Sequence, residues 1–313
     1  MRDKYIELRV NHDFGDILTT YFDFLKQNIK KFTNVFISYN GVFLVGLLIT
    51  SYLLVSGFIG LIAEEGSFSG SGLGQSNEET YWIYIVAGGI LFFVIFILVA
   101  GLNFSLSSSY LVNYERAKGL DFDKKEVWNL TKSKFGDTLV FILLLIPIYL
   151  VFFIVVVITA FIPLLGLFAQ YILQFSLAAW IGVSFFSMLE QNKGVTDAFG
   201  EGWGLVSKNF WKSVGVNFIL GLLNGLLLFI ILLIPGIIVG VYTFHVVENG
   251  VDVGASIVST VVYTLGLCLL LILSIYAQCL SQIVNGILFY SLHEKTYNVN
   301  TRSKIEQIGQ SNQ

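Results

Sequence analysis

The stretch that decides the fold is "LVFILLLIPIYLVFFIVVVITAFIPLLGLFAQYILQFSLAAWIGVSFFSM", residues 139–188. It lies between Asp137 and Glu190 and contains no charged residue. A helix needs roughly 20 apolar residues to cross a bilayer, so this stretch is long enough for two crossings. Pro163 and Gly166 in "TAFIPLLG" predict a tight reversal between them. The stretch therefore predicts a transmembrane hairpin.

The rest of the chain repeats this character. Of its 313 residues, 55% are hydrophobic and 12% are charged, and the mean hydropathy is +0.77. That leaves too little polar side chain to coat one water-soluble domain. The charges cluster, and the apolar gaps between them predict an all-α, polytopic membrane protein. Its six predicted spans are 39–62, 82–106, 139–160, 164–188, 214–244 and 254–288.

The basic residues predict the orientation. All eighteen Lys and Arg fall on segments that six crossings place on one side. The opposite loops carry only acidic charges, such as Glu78, Glu79 and Glu248. Basic residues near span ends stay cytoplasmic, so both termini are predicted to lie in the cytoplasm. The first span would serve as an uncleaved signal.

A weak threefold repeat runs through the chain. "FDFLKQN", "WNLTKSK" and "WGLVSKN" precede spans one, three and five, and "YERAKG", "LEQNKG" and "HEKTYN" follow spans two, four and six. The second set aligns Glu115, Glu190 and Glu294. We interpret the chain as three tandem units, each a cytoplasmic surface helix followed by a transmembrane hairpin. The three glutamates could form a shared docking or gating ring, or they could pair locally with Arg116, Lys193 or Lys295.

These patterns divide one integral membrane domain, 1–313, into segments. Apolar residues at spacings of three and four predict an amphipathic helix on the membrane at 13–35 and another at 195–212. The full order is an interfacial helix 13–35, a hairpin 39–110 with a flexible external loop 63–81, a cytoplasmic helix 122–137 with a capping box at Asp123 and Glu126, a hairpin 139–189, an interfacial helix 195–212, a hairpin 214–288 and a cytoplasmic tail 294–313.

Aromatic and basic residues beside the spans are typical of interfacial anchors, although a ligand site was the alternative for "EGWGLVSKNFWKSVG", residues 201–215. Indole rings favour the headgroup region, and lysines there reach water and anionic lipid. The predicted anchors are Trp128, Trp203, Trp211, Lys208 and Lys212.

The chemistry of the predicted interior is that of amides. By the assigned spans no Asp, Glu, Lys, Arg or His lies at the centre of the bilayer, and the sequence contains no P-loop, HExxH or clustered zinc ligands. We expect no enzyme, cofactor or metal site. Unpaired amides are unfavourable in hydrocarbon, so they predict either a polar pathway or hydrogen bonds between helices. They are Gln170, Gln174, Asn217, Asn224, Gln278, Gln282 and Asn285.

Three segments carry a family resemblance: "FGDILTTYFDFLKQN" (14–28), "GVTDAFGEGWGLVSKNFWKSVG" (194–215) and "GILFYSLHEK" (286–295). They resemble the six-helix membrane domain of membrane-attached glycerophosphoryl diester phosphodiesterases and related stand-alone membrane proteins. These relatives are bacterial, so the resemblance implies a six-helix architecture and a location in the bacterial cytoplasmic (inner) membrane, but not hydrolysis. A (β/α)₈ barrel needs about 250 residues, and the longest soluble segment here is under about 40.

Two functions follow as hypotheses. The first is a non-enzymatic scaffold or accessory subunit, with membrane lipid and a membrane-associated protein as partners and no nucleic acid. The alternative is a transporter or lipid-handling protein that uses the amide-lined faces of spans four to six. An intramembrane enzyme is disfavoured because no nucleophile comes with a base.

Overall fold

The computed structural model describes residues 5–66, 78–119, 122–162, 165–251 and 256–310. These ranges hold nine α-helices and no strand. The helices are α1 (Phe14–Gly66), α2 (Glu78–Arg116), α3 (Lys124–Ser133), α4 (Phe135–Ala160), α5 (Leu165–Gln191), α6 (Val195–Lys208), α7 (Phe210–Glu248), α8 (Ile257–Tyr297) and α9 (Val299–Gln310).

Six of these helices are long and apolar enough to cross a membrane: α1, α2, α4, α5, α7 and α8. The prediction of an all-α fold is confirmed, each predicted span lies largely within one of these six helices, and the stretch at 139–188 is divided between α4 and α5. The arrangement as three tandem units stays a prediction. Gly166 N–H donates to the Ile162 carbonyl at 2.8 Å as the chain reverses, while Pro163 lies outside the described residues. The predicted capping box of α3 is also confirmed, with both Asp123 and Glu126 making their bonds.

The helix boundaries differ from the predicted ones at several places. The interfacial helix 13–35 and the first span, 39–62, are one continuous helix, because the junction at 36–38 contains no glycine or proline to end it. The predicted cytoplasmic helix 122–137 is divided, since α3 ends at Ser133 and α4 begins at Phe135. The interfacial helix 195–212 ends early, at Lys208, where Asn209 leaves helical geometry. The predicted tail contains α9. Of the predicted loop 63–81, residues 67–77 lie outside the described part.

The chain forms two compact units. The first contains residues 1–36, 101–224 and 278–313, and the second contains 37–100 and 225–277. Within the second unit, α7 and α8 are joined by hydroxyl contacts. The Tyr242 hydroxyl lies 2.8 Å from that of Ser259, and the Thr243 hydroxyl lies 3.0 Å from that of Tyr263.

The core of the first unit is built from three helix ends, those of α2, α5 and α8. Phe104 of α2 meets Phe185 of α5 edge to face at 4.9 Å, and Phe186 of α5 stacks on Phe289 of α8 at 5.9 Å. Gly286 of α8 leaves no room for a Cβ beside Phe186. The three helices therefore approach closely enough for their polar side chains to meet.

Each of these three helices ends in left-handed backbone. Lys118, Asn192 and Asn298 have φ of 52°, 55° and 52°. Asn tolerates this conformation and often ends helices, whereas Lys rarely adopts it. Lys118 is followed by Gly119, whose φ is +72° and which packs against Tyr5. Each helix therefore ends within a few residues of its repeat glutamate, Glu115, Glu190 or Glu294, and the left-handed residue changes the direction of the chain there.

Helix α6 packs along α5 through Gly202. A Cβ at this glycine would lie 2.8 Å from the Ser184 Cα, so only glycine permits the observed approach. Phe199, one turn earlier, stacks on Phe141 of α4 at 4.4 Å, and its carbonyl accepts a hydrogen bond from the Trp180 indole at 2.9 Å. The packing fixes α6 against both helices of the α4–α5 hairpin.

Candidate functional site

The N-terminal segment, residues 5–12, lies across the ends of α2 and α8. The Ile6 N–H donates to the Tyr114 hydroxyl of α2 at 2.9 Å, and the His12 N–H donates to the Ser291 hydroxyl of α8 at 3.2 Å. Leu8 between them is fully buried. A segment without regular secondary structure is thus held by backbone hydrogen bonds and by a buried apolar anchor.

Arg9 of this segment joins two of the repeat glutamates. Its Nε lies 3.4 Å from a Glu115 oxygen, and its Nη2 forms an ion pair with Glu190. Arg116 also pairs with Glu190 at 3.3 Å, and Lys118 pairs with Glu115 at 2.6 Å. We call this group the Arg9 cluster; it consists of Tyr5, Arg9, Glu115, Arg116, Lys118, Glu190 and Tyr290.

The centre of the Arg9 cluster is largely withdrawn from solvent, whereas Arg116 and Lys118 at its edge are about half exposed. The side chains of Glu115, Glu190 and Arg9 are 2%, 10% and 20% exposed. The Arg9 guanidinium lies 4.9 Å from the centre of the buried Tyr290 ring, in cation–π geometry. Leaving either carboxylate without its cation would be costly at this burial, so the cluster holds the N-terminal segment in one position.

Tyr5 extends the cluster toward the surface. Its hydroxyl donates to Glu115 at 2.5 Å, and its ring packs on Tyr114 at 5.7 Å. Burial, followed by the hydrogen bond to the Glu115 carboxylate, raises the pKa of Tyr5. The phenol therefore remains a hydrogen-bond donor to Glu115 at neutral pH.

Helix α9 closes the other side of the segment. Asn300 donates to the Glu7 carboxylate at 2.6 Å and to the Arg9 carbonyl at 2.8 Å, and Lys304 pairs with Glu7 at 2.6 Å. Burial would raise the pKa of Glu7, but the hydrogen bonds from Lys304 and Asn300 outweigh it and lower the pKa. Glu7 is therefore charged at neutral pH and ties the segment to α9.

Lys212 makes a third link. Its ammonium group donates to the His12 carbonyl and, at 3.2 Å, to the Ser291 hydroxyl. A lysine beside a serine can activate the serine as a nucleophile. Here, however, Ser291 is fully buried, and its hydroxyl is hydrogen-bonded to the backbone N–H and carbonyl of His12. The arrangement connects α7, α8 and the N-terminal segment.

The structure brings together two of the three repeat glutamates. Glu115 and Glu190 share Arg9, a residue far from both in sequence, in addition to their own cations. Glu294 is separate, because it accepts the backbone N–H groups of Asn300 and Thr301, both at 2.9 Å, and so caps the start of α9. Neither a ring of three nor purely local pairing describes this geometry.

Six of the seven predicted interior amides fall into two groups, of which the first lies in helix contacts. Gln282 is fully buried and donates to the Ser108 hydroxyl of α2 at 2.8 Å. Asn285 donates to the Ala178 carbonyl of α5 at 3.3 Å, and Asn224 accepts from the buried Tyr21 hydroxyl at 2.6 Å. Asn217 bonds within its own helix, to the Ser213 carbonyl. These amides join helices within the first unit.

The second group lies on a groove. Gln170 and Gln174 of α5 line a groove of about 430 Å³ together with Tyr149 of α4. Gln170 also donates to the Val156 carbonyl at 3.4 Å. Gln282 does not line this groove. Gln278 is half-buried on α8 and is likewise not among the residues lining it.

Four of the five predicted anchors lie toward the surface. Trp203 and Trp211 are 59% and 73% exposed, Lys208 is exposed and Trp128 is half-buried. Lys212 differs from the prediction, because it bonds inside the protein rather than projecting outward. The reason is the break at Asn209, which places Lys212 on α7 and turns it away from the exposed face of α6.

Sequence reasoning missed Arg9 and the segment around it. Its partners are more than 100 residues away, and a single arginine before the first span looks like any other basic residue. Within the described ranges, no three His, Cys, Asp or Glu side chains come together as metal ligands. The chemistry that the cluster does offer is ion pairing between the N-terminal segment and the ends of α2 and α5.

The chain was compared with protein-family models, curated proteins and solved structures, and none of them matched. The functional argument therefore comes from the geometry of this chain alone.

Proposed function

We propose that the protein is a non-enzymatic, multi-pass protein of the bacterial cytoplasmic membrane that acts as a scaffold or accessory subunit for a membrane-associated protein. The single observation that supports this most is the Arg9 cluster. Buried ion pairs fix the N-terminal segment at one end of the first unit, and hydrogen bonds from Asn300 fix α9 beside it. The exposed charges of α9, on Arg302 and Lys304, are thereby held in one position, which suits the docking of a partner better than the passage of a solute.

The amides support the same proposal. Gln282 and Asn285 use their amide nitrogens in contacts between helices. In a transporter we would expect such residues to line one connected cavity, whereas Gln170 and Gln174 line a groove to which Gln282 and Asn285 do not belong.

The surface proposed to dock the partner is the exposed face of α9. It carries Arg302, Lys304 and the apolar Ile305, which is 64% exposed. With both termini in the cytoplasm, as the basic residues predict, this face would meet cytoplasmic proteins. The arrangement as three tandem units, each a surface helix followed by a hairpin, stays a prediction. So does the resemblance to phosphodiesterase membrane domains, and both are consistent with this proposal.

The test is purification of the native protein in mild detergent with two matched variants. We expect one protein to co-purify at fixed stoichiometry with the wild type and with Ile146→Ala, a change at a 61% exposed position on α4. It should be lost with Ile305→Ala. Equal recovery with both variants, or no stoichiometric protein with the wild type, would count against the proposal.

The alternative, a transporter or lipid-handling protein, is favoured by one observation, the groove that contains Gln170 and Gln174. Reconstitution into vesicles separates the two. Flux of a solute or lipid that disappears with Gln170→Leu and Gln174→Leu would support the alternative, and its absence together with a stoichiometric partner would support the scaffold.

A further inference from the structure

A second groove lies between α4, α5 and α6, on the other side of the wall formed by Phe152 and Leu177. Its volume is about 530 Å³, within the range of sites that hold small molecules. Its polar lining side chains are two serines, and the Ser176 hydroxyl is already bonded to the Leu173 carbonyl at 2.8 Å. The groove therefore suits an apolar ligand.

The wall next to α6 is made of two indole rings. Trp180 and Trp203 meet edge to face at 5.4 Å, and the hydrogen bond from Trp180 to the Phe199 carbonyl fixes its ring. The other indole, on Trp203, is 59% exposed. Aromatic rings held this way form a preorganised surface, because binding does not have to order them.

The groove opens onto an exposed apolar surface of α4. Val151, in its wall, is 60% exposed, and its neighbours Leu150 and Phe153 are 60% and 66% exposed. These residues lie in the middle of α4, one of the six helices long and apolar enough to span a membrane. Hydrocarbon chains are the surrounding medium for such a surface.

The length of the groove suits part of a lipid chain. From Pro147 to Val155 the groove follows α4 for about 12 Å, given a rise of roughly 1.5 Å per residue. An extended hydrocarbon chain can lie along it, and 12 Å is less than half of the roughly 30 Å hydrocarbon core.

We infer that this groove is a binding site for one acyl chain of a membrane phospholipid, held against Trp180 and Trp203. The site is separate from the proposed docking surface on α9, so the inference stands or fails independently of the proposed function. Lipid in this site would exchange more slowly than the surrounding lipid, and its binding would saturate.

The test uses the two indoles as detectors. The protein, with Trp82, Trp128 and Trp211 changed to Phe, is reconstituted into phosphatidylglycerol and phosphatidylcholine vesicles that contain increasing fractions of lipid brominated on its acyl chains. We expect fluorescence quenching that rises steeply and saturates at low bromolipid fraction. Comparison of the two lipids shows whether the headgroup matters.

Two variants fill the groove, Val151→Phe and Val155→Phe, and one matched control on the same helix, Val157→Phe, lies outside its lining. The filling variants should lose the saturating component, and the control should keep it. A cooperative thermal unfolding transition shows that each variant is folded. The two filling variants are independent, so the test can still be made if one of them does not fold.

Quenching that follows the bulk bromolipid fraction and is unchanged by Val151→Phe would overturn the inference, because the groove would then hold only exchanging annular lipid. Weak quenching with efficient disulfide formation between Val151→Cys copies would also overturn it, because a second copy of the chain would then occupy the groove.

Discussion

Replacement of Arg9 by Gln tests the cluster directly. Arg9 contacts two carboxylates whose side chains are only 2% and 10% exposed. Removing one partner from a buried ion pair costs about 3–5 kcal/mol. Because Glu115 keeps Lys118 and Glu190 keeps Arg116, we expect the lower end, about 3 kcal/mol of the free energy of unfolding.

The assay is denaturant-induced unfolding of the purified protein in detergent, followed by circular dichroism. The matched control is Lys304→Gln, which removes an ion pair whose side chains are 55% and 37% exposed and which should cost about 0.2–1 kcal/mol. The double variant Arg9→Gln with Glu190→Gln should recover part of the loss, because it removes one uncompensated charge. A loss for Arg9→Gln no larger than that for Lys304→Gln would refute the reasoning.

Three further predictions follow from single contacts. Gly202→Ala should destabilise the protein in the same assay because its Cβ meets Ser184, whereas Gly200→Ala, with open space around it, should be neutral or stabilising by up to about 1 kcal/mol. Gln282→Leu should cost about 0.5–1.5 kcal/mol, because it removes one hydrogen bond to the Ser108 hydroxyl, which keeps its own bond to the Phe104 carbonyl; no loss would contradict the contact. Burial lowers the pKa of His12, which is near Glu7, Asp16 and Lys212, so the folded state binds fewer protons than the unfolded state below pH of about 6.5. Unfolding measured between pH 7.5 and 5.5 should show that the free energy of unfolding decreases as the pH is lowered. His12→Gln should make this decrease smaller, and an equal decrease in the variant would contradict the prediction.

The sequence predicts the helices well because the relevant signal is local. An uncharged apolar run such as 139–188 has a low free energy as helices inside a bilayer, and the residues at its reversal are close in sequence. Boundaries are harder to predict. Whether an amphipathic helix continues into a span depends on small differences in helix propensity, so α1 continues through Gly41 while α6 ends at Asn209.

The candidate site depends on contacts that local patterns do not encode. Repeat alignment selected Glu115 and Glu190, but not the Arg9 that joins them, because ion pairing across more than 100 residues leaves no periodic trace. The same alignment gave Glu294 an equivalent place, whereas α9 follows it and uses its carboxylate as a helix cap. Amide positions were visible in the sequence, but their partners, such as Ser108 for Gln282, required the packing of α2 against α8.

Orientation is the claim on which the proposed docking surface most directly depends. It is tested by placing single cysteines in a protein whose Cys268 and Cys279, both buried, are changed to Ala. The positions are Asn249, exposed between α7 and α8, and Lys125, exposed on α3. An impermeant maleimide added to intact spheroplasts should label Asn249→Cys at once and Lys125→Cys only after permeabilisation. Labelling of Lys125→Cys, but not Asn249→Cys, in intact spheroplasts would place the Arg9 cluster and α9 outside the cell and contradict the account.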